Sequence, residues 1–100
     1  MQTLPDQKVK ELIKQAVSAN IGSDSYYTIL MKPAIDSSGA DAIEVIIVLT
    51  PGSSDRVIGP PSTNATSEVI RLLADAGEER FPIVRWDTKS ESEVKEDAST

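Results

Sequence analysis

The chain contains no cysteine and no histidine, and only four of its 100 residues are aromatic: Tyr26, Tyr27, Phe81 and Trp86. Without thiols there can be no disulfides, iron–sulfur clusters, thiolate zinc sites or thiol nucleophiles, and without imidazole the commonest general base and metal ligand is missing. Ser-His-Asp and Cys-His catalysis are therefore impossible within this chain. No apolar run approaches the roughly 18 residues of a spanning helix, and the opening Met1-Gln2-Thr3-Leu4-Pro5-Asp6 has no basic n-region. A cytoplasmic location away from any membrane is expected, and the lack of cysteine is compatible with a reducing compartment.

Positive charge is also scarce, with 10 Lys and Arg against 16 Asp and Glu and a net charge of −6. A phosphate backbone is repelled on average, so nucleic acid is disfavoured as a partner, although Lys8, Lys10 and Lys14 make the first helix locally basic. Beyond Trp86, five acids (Asp87, Glu91, Glu93, Glu96, Asp97) face two lysines (Lys89, Lys95), so half of the net charge falls in the last 14 residues. Val94 is the only large apolar side chain there, which leaves nothing to bury. The expected organisation is one domain over 1–86 and a disordered acidic tail over 87–100.

Within the domain, Val9, Leu12, Ile13, Ala16 and Val17 recur at helical spacing behind Pro5, and Asn20-Ile21-Gly22 supplies a stop. Tyr26 to Lys32 reads as a strand ending before Pro33, and Ala42 to Leu49 as a central strand covered on much of both faces. Between them Asp36-Ser37-Ser38-Gly39 reverses the chain into a hairpin. Pro51 to Ser62 is irregular on this reading. A second helix then begins at a Thr63 or Asn64 cap, carries Ala65, Val69, Leu72, Leu73 and Ala76 as its apolar stripe, and stops at Gly77. Phe81 to Trp86 is a third strand, with Pro82 favouring an edge. The fold class expected is α+β, a two-layer sandwich of order α-β-β-α-β with a three-stranded, mainly antiparallel sheet and two helices.

Two helices can cover one face of such a sheet. The other face would carry some of Tyr26, Leu30, Ile46, Val48, Val84 and Trp86, too apolar a set for water, which makes them interface candidates. Coverage by one helix on each face, or by the tail, is the alternative. Trp86 reads equally as a partner's anchor or as a lid on the core. Lys32 and Arg85, each inside an apolar strand, would discourage uncontrolled edge pairing.

The remaining polar motifs have plain structural readings. Asp36 to Asp41 has the oxygens of a cation loop without the alternating acids or closing glutamate, and turn chemistry explains each residue. Thr50 to Asp55 follows a strand but lacks the Gly-x-x-x-x-Gly-Lys pattern. Asn64-Ala65-Thr66 spells a glycosylation sequon at a helix start. Glu78 and Glu79 are adjacent acids that ordinarily stay solvated, and whether Arg56, Arg80, Arg85 and Lys32 converge on an anion depends on the fold. No metal, cofactor or catalytic residue is expected.

The stretch Gly39-Ala40-Asp41-Ala42-Ile43-Glu44-Val45-Ile46-Ile47-Val48-Leu49, followed by a helix and Ala76-Gly77-Glu78-Glu79-Arg80-Phe81-Pro82-Ile83-Val84, resembles small bacterial proteins. In these a G-x-x-A-x-x-V-x-x-V-L strand precedes a G-x-E-R-F-P segment. The resemblance implies the α-β-β-α-β order and no particular activity, so no site residue is carried over from it. The leading expectation is a non-enzymatic interaction module, homodimeric through the apolar second face of its sheet or docking another protein there. The alternatives are an acidic, antitoxin-like adaptor whose tail binds a basic protein, and a small ligand-binding domain or carboxylate-based enzyme.

Overall fold

The computed structural model of the chain describes residues 4–88. Its elements are α1 (Asp6–Ile21), β1 (Tyr26–Ile35), β2 (Asp41–Leu49), α2 (Ser54–Val57), α3 (Pro60–Asp75) and β3 (Phe81–Thr88). The apolar stripes of α1 and α3 cannot be buried by a helix alone, and both lie against the same side of the sheet. Val9, Ile13, Ala16 and Val17 of α1 and Val69 and Leu73 of α3 form one cluster with Ile29 of β1 and Ile43, Val45, Ile47 and Leu49 of β2. The result is the two-layer α+β fold.

The strands lie in the order β1-β2-β3. β1 and β2 form the expected hairpin, closed by Asp36, whose Oδ1 accepts from Ser38 N, Ser38 Oγ and Ala40 N. β3 runs parallel to β2, so the sheet is mixed rather than mainly antiparallel. The reason is the crossover: α2 and α3 carry the chain back to the starting end of β2 before β3 begins, as parallel neighbours require.

Four boundaries differ from the sequence reading. β1 continues through Pro33 to Ile35, which an edge strand tolerates because one of its two sides needs no amide donor. The segment after Pro51 contains the single turn α2. α3 starts three residues before the expected cap, at Pro60, whose fixed φ suits a first turn. Its start is held by Ser62 Oγ, which accepts from Gly59 N at 3.1 Å and donates to Gly59 O at 2.9 Å. The corner itself is Gly59, with φ of 125°, a conformation that a side chain would strain. Finally, β3 includes Asp87 and Thr88, so these two residues belong to the sheet and not to a tail. The rest of the expected tail, 89–100, lies outside the described residues.

Register settles the faces. Val45 pairs with Met31 on one side and Val84 on the other, and Ile47 pairs with Ile29 and Trp86, so these residues point toward the helices. The alternate set points away: Thr28, Leu30, Lys32 and Ala34 from β1, Ala42, Glu44, Ile46 and Val48 from β2, and Phe81, Ile83, Arg85 and Asp87 from β3. Among the described residues no element covers this second side.

Candidate functional site

The helix-free side of the sheet is the surface that the fold leaves to explain. Its rows run across the strands as Ala34, Ala42, Phe81; then Lys32, Glu44, Ile83; then Leu30, Ile46, Arg85; then Thr28, Val48, Asp87. On central β2, Ala42 and Val48 are enclosed by their neighbours. The outer strands are not: Leu30 is 51% exposed and Phe81 54%. Ile46 and Ile83 are half-buried between them.

The Glu44 carboxylate sits on the central strand of this field. Lys32 Nζ approaches Glu44 Oε1 at 3.1 Å and Arg85 Nη1 approaches Oε2 at 3.5 Å. Oε1 is enclosed and has the Lys32 ammonium beside it, although the approach lacks hydrogen-bond alignment. Lys32, and then Arg85, hold the Glu44 carboxyl below its ordinary pKa. The two cations therefore bend inward over the sheet. With Asp87, the face carries two positive and two negative residues and is neutral, on a chain of net charge −6.

Of the six interface candidates, Leu30, Ile46 and Val48 lie on this face. Tyr26, Val84 and Trp86 do not. A bulge between Tyr26 and Thr28 sets Tyr26 opposite Leu49 on the helix side, where it packs against the core and its hydroxyl is 3.2 Å from Ser18 Oγ. Val84 and Trp86 pair with inward-facing Val45 and Ile47. Trp86 is half-buried under α3 and donates its Nε1 hydrogen to Thr66 Oγ1 at 3.0 Å, which makes it a lid on the core. Ala34, Phe81 and Ile83 belong to the face and were not singled out from the sequence. The signal for Phe81 and Ile83 is the alternation counted from Pro82, which becomes readable once β3 is known to run parallel with Pro82 opposite Ile43.

Glu78, Arg80 and Arg56 are held by near neighbours. Glu78, 6% exposed, accepts from Leu4 N at 2.8 Å, Arg80 N at 2.9 Å and Arg80 Nε and Nη2, each at 3.0 Å. The Arg80 guanidinium thereby holds the Glu78 carboxyl down to about 2, against the opposing effect of burial. The pair raises Arg80 in turn. Glu78 is thus an internal ion pair and not the solvated acid that its adjacency to Glu79 suggested. Arg56 Nη2 donates to the hydroxyls of Ser25 and Ser53 at 3.0 and 3.3 Å, and Ser53 Oγ is hydrogen-bonded to Thr50 Oγ1. The four cations considered for one anion site thus go to three places: Lys32 and Arg85 to Glu44, Arg80 to Glu78, and Arg56 to serines.

Among the described residues, one shallow cavity of about 250 Å³ lies between Trp86 and the α3 hydroxyls of Ser62, Thr63, Thr66 and Ser67. Another, about 150 Å³, lies between α3 and the Glu78 to Pro82 segment. Among the described residues no group of three or more acids could hold a metal ion. No described helix is long and apolar enough to cross a membrane. Comparison of the chain with protein-family models, with curated proteins and with solved structures finds no match.

Proposed function

We propose that this protein is a non-enzymatic interaction module that self-associates through the helix-free face of its sheet. The observation that carries the reading is the coexistence of an apolar, neutral surface with a strongly acidic chain. Two copies meeting through Leu30, Ile46, Ile83 and Phe81 bring together no net charge. Three strands at about 4.8 Å spacing and about 30 Å length give a patch near the lower limit for a specific interface, so a modest affinity is expected. Asp36, Glu44 and Glu78 are each held toward ionisation by their own hydrogen-bond and ion-pair partners.

Nucleic acid is a poorer partner on local as well as global grounds. A glycine corner opening into a helix can grip phosphates through its N–H groups, but Pro60 and Pro61 remove two of those donors here. The adaptor reading, in which the acidic residues 89–100 take a basic protein, concerns a segment outside the described residues and is separated by deleting it.

The test is solution mass by light scattering over a dilution series, with Ile83→Lys as the variant. Ile83 lies opposite Glu44, so a lysine there is tolerated by the fold while charging the face. The expected result is a concentration-dependent mass above that of one chain, with the midpoint raised at least tenfold in Ile83→Lys. A wild-type chain that stays single into the millimolar range overturns self-association.

A further inference from the structure

The flank of α3 that overlooks Trp86 is built against the ordinary preferences of a helix. Residues 62–67 read Ser-Thr-Asn-Ala-Thr-Ser, and Ala65 alone among them is a strong helix former. Serine and threonine inside a helix compete with its backbone for hydrogen bonds, so local preference does not account for them. Contacts account for two. Ser62 Oγ holds Gly59 at the start of α3, and Thr66 Oγ1 takes the indole hydrogen of Trp86 at 3.0 Å. Thr63 and Ser67 are exposed, and among the described residues neither hydroxyl has a hydrogen-bond partner. Positions 62, 63, 66 and 67 fall at i, i+1, i+4 and i+5, which places them along one flank of two successive turns. Because all four side chains are short, a cavity of about 250 Å³ stays open between them and Trp86.

We infer that this cavity binds a neutral ring bearing hydroxyl groups, of the class of an uncharged monosaccharide or cyclitol. The lining selects the class by what each alternative would lose. No charged side chain lines the cavity, although 26% of the chain is charged, so an ionic ligand would give up water and gain no counter-charge. A wholly apolar ligand would cover hydroxyls without giving them partners. A ligand hydroxyl both donates and accepts, as do those of Thr63 and Ser67, and Thr66 keeps its own proton to give. The indole adds an apolar surface for the C–H side of a ring. The volume falls short of the ~300 Å³ at which pockets for drug-sized molecules begin, which limits the ligand to a single ring. So few contacts in so shallow a site predict half-saturation in the millimolar range. The cavity lies on the helix side of the sheet, so the inference does not rest on the self-association proposed above.

Trp86 is the only tryptophan, and its fluorescence reports on the cavity directly. The test titrates the full chain with D-glucose, D-galactose, D-mannose and myo-inositol, with glycerol as an open-chain control, reading Trp86 emission and the backbone amide NMR shifts of residues 62–67. The expected result is a saturable change in both readouts with at least one ring and none with glycerol. Ser67→Lys, at an exposed position, should keep the circular dichroism spectrum and weaken binding by about tenfold, since a long side chain there fills the cavity. Absence of a saturable change with every ring overturns the inference, whether the cavity stands open or is taken by residues beyond 88. A change that glycerol reproduces, or that Ser67→Lys leaves undiminished, overturns it as well, because the ring then acts through the solvent or at another place.

Discussion

β2 presents two faces built from one alternating sequence, and they solve burial differently. Val45, Ile47 and Leu49 sit at 0% exposure under both helices, packed among apolar side chains of the core. Ile46 and Val48, one step along the same strand, share their face with Glu44 and its two cations. The near-continuous apolar run therefore does not mean that both faces are core. One face needs hydrophobicity to hold the fold, and the other carries it with a charge cluster that fixes the geometry of its surface.

The sharpest way to break that contrast is to remove the same kind of atoms from each face. Ile47→Ala leaves a cavity between the helices and the sheet and is expected to cost about 3 to 4 kcal/mol, which for a chain this size lowers Tm by on the order of 20 °C. Ile46→Ala, measured at a concentration where the chain is single, should cost well under half as much. Equal losses in thermal denaturation would mean that the second face is covered after all.

A smaller effect is expected at Glu78, the second place where a carboxylate is held by arginine. Its side chain is wholly buried where that of Glu44 keeps 18% of its surface exposed, and it ties Leu4 to the start of β3. Its folded pKa of about 2 lies below the ordinary 4.5, so its ion pair stabilises fully above pH 4.5 and is lost as pH falls toward 2. The contribution is on the order of 3 kcal/mol. Glu78→Gln should lower stability at pH 7 by about 2 to 3 kcal/mol through the stranded Arg80 and flatten the acid limb of the stability curve between pH 4.5 and 2. An unchanged acid limb would place that dependence on other groups.

These contrasts also show what could be read from the residues. Helix α1, the hairpin, the stripe of α3 and the central place of β2 follow from periodicity and turn chemistry, which are local. The direction of β3 is not local, and with it went the face assignment of Val84 and Trp86. One residue of bulge between Tyr26 and Thr28 is enough to exchange the two sides of the strand at Tyr26. Glu78 gave no signal of burial because its partners, Leu4 and Arg80, come together only when the first residues of the chain reach the start of β3. Trp86→Phe tests the corrected placement: it keeps the ring under α3 and removes the hydrogen bond to Thr66, so the expected loss is about 1 kcal/mol. A loss near zero would return Trp86 to the solvent side.

The smallest effect is the most informative about what the open face does. Lys32 is 65% exposed and pairs with Glu44 across the hairpin, so in a single chain Lys32→Ala should cost less than about 1 kcal/mol, and less still in high salt. If a second copy lies on the face, Glu44 loses water as well as its ammonium partner, and the same substitution becomes expensive only in the assembled state. Its effect on stability should then grow with protein concentration, while that of Ile47→Ala should not. A Lys32→Ala penalty that is the same at every concentration would mean that Glu44 stays wet, and that whatever association occurs leaves this row of the sheet uncovered.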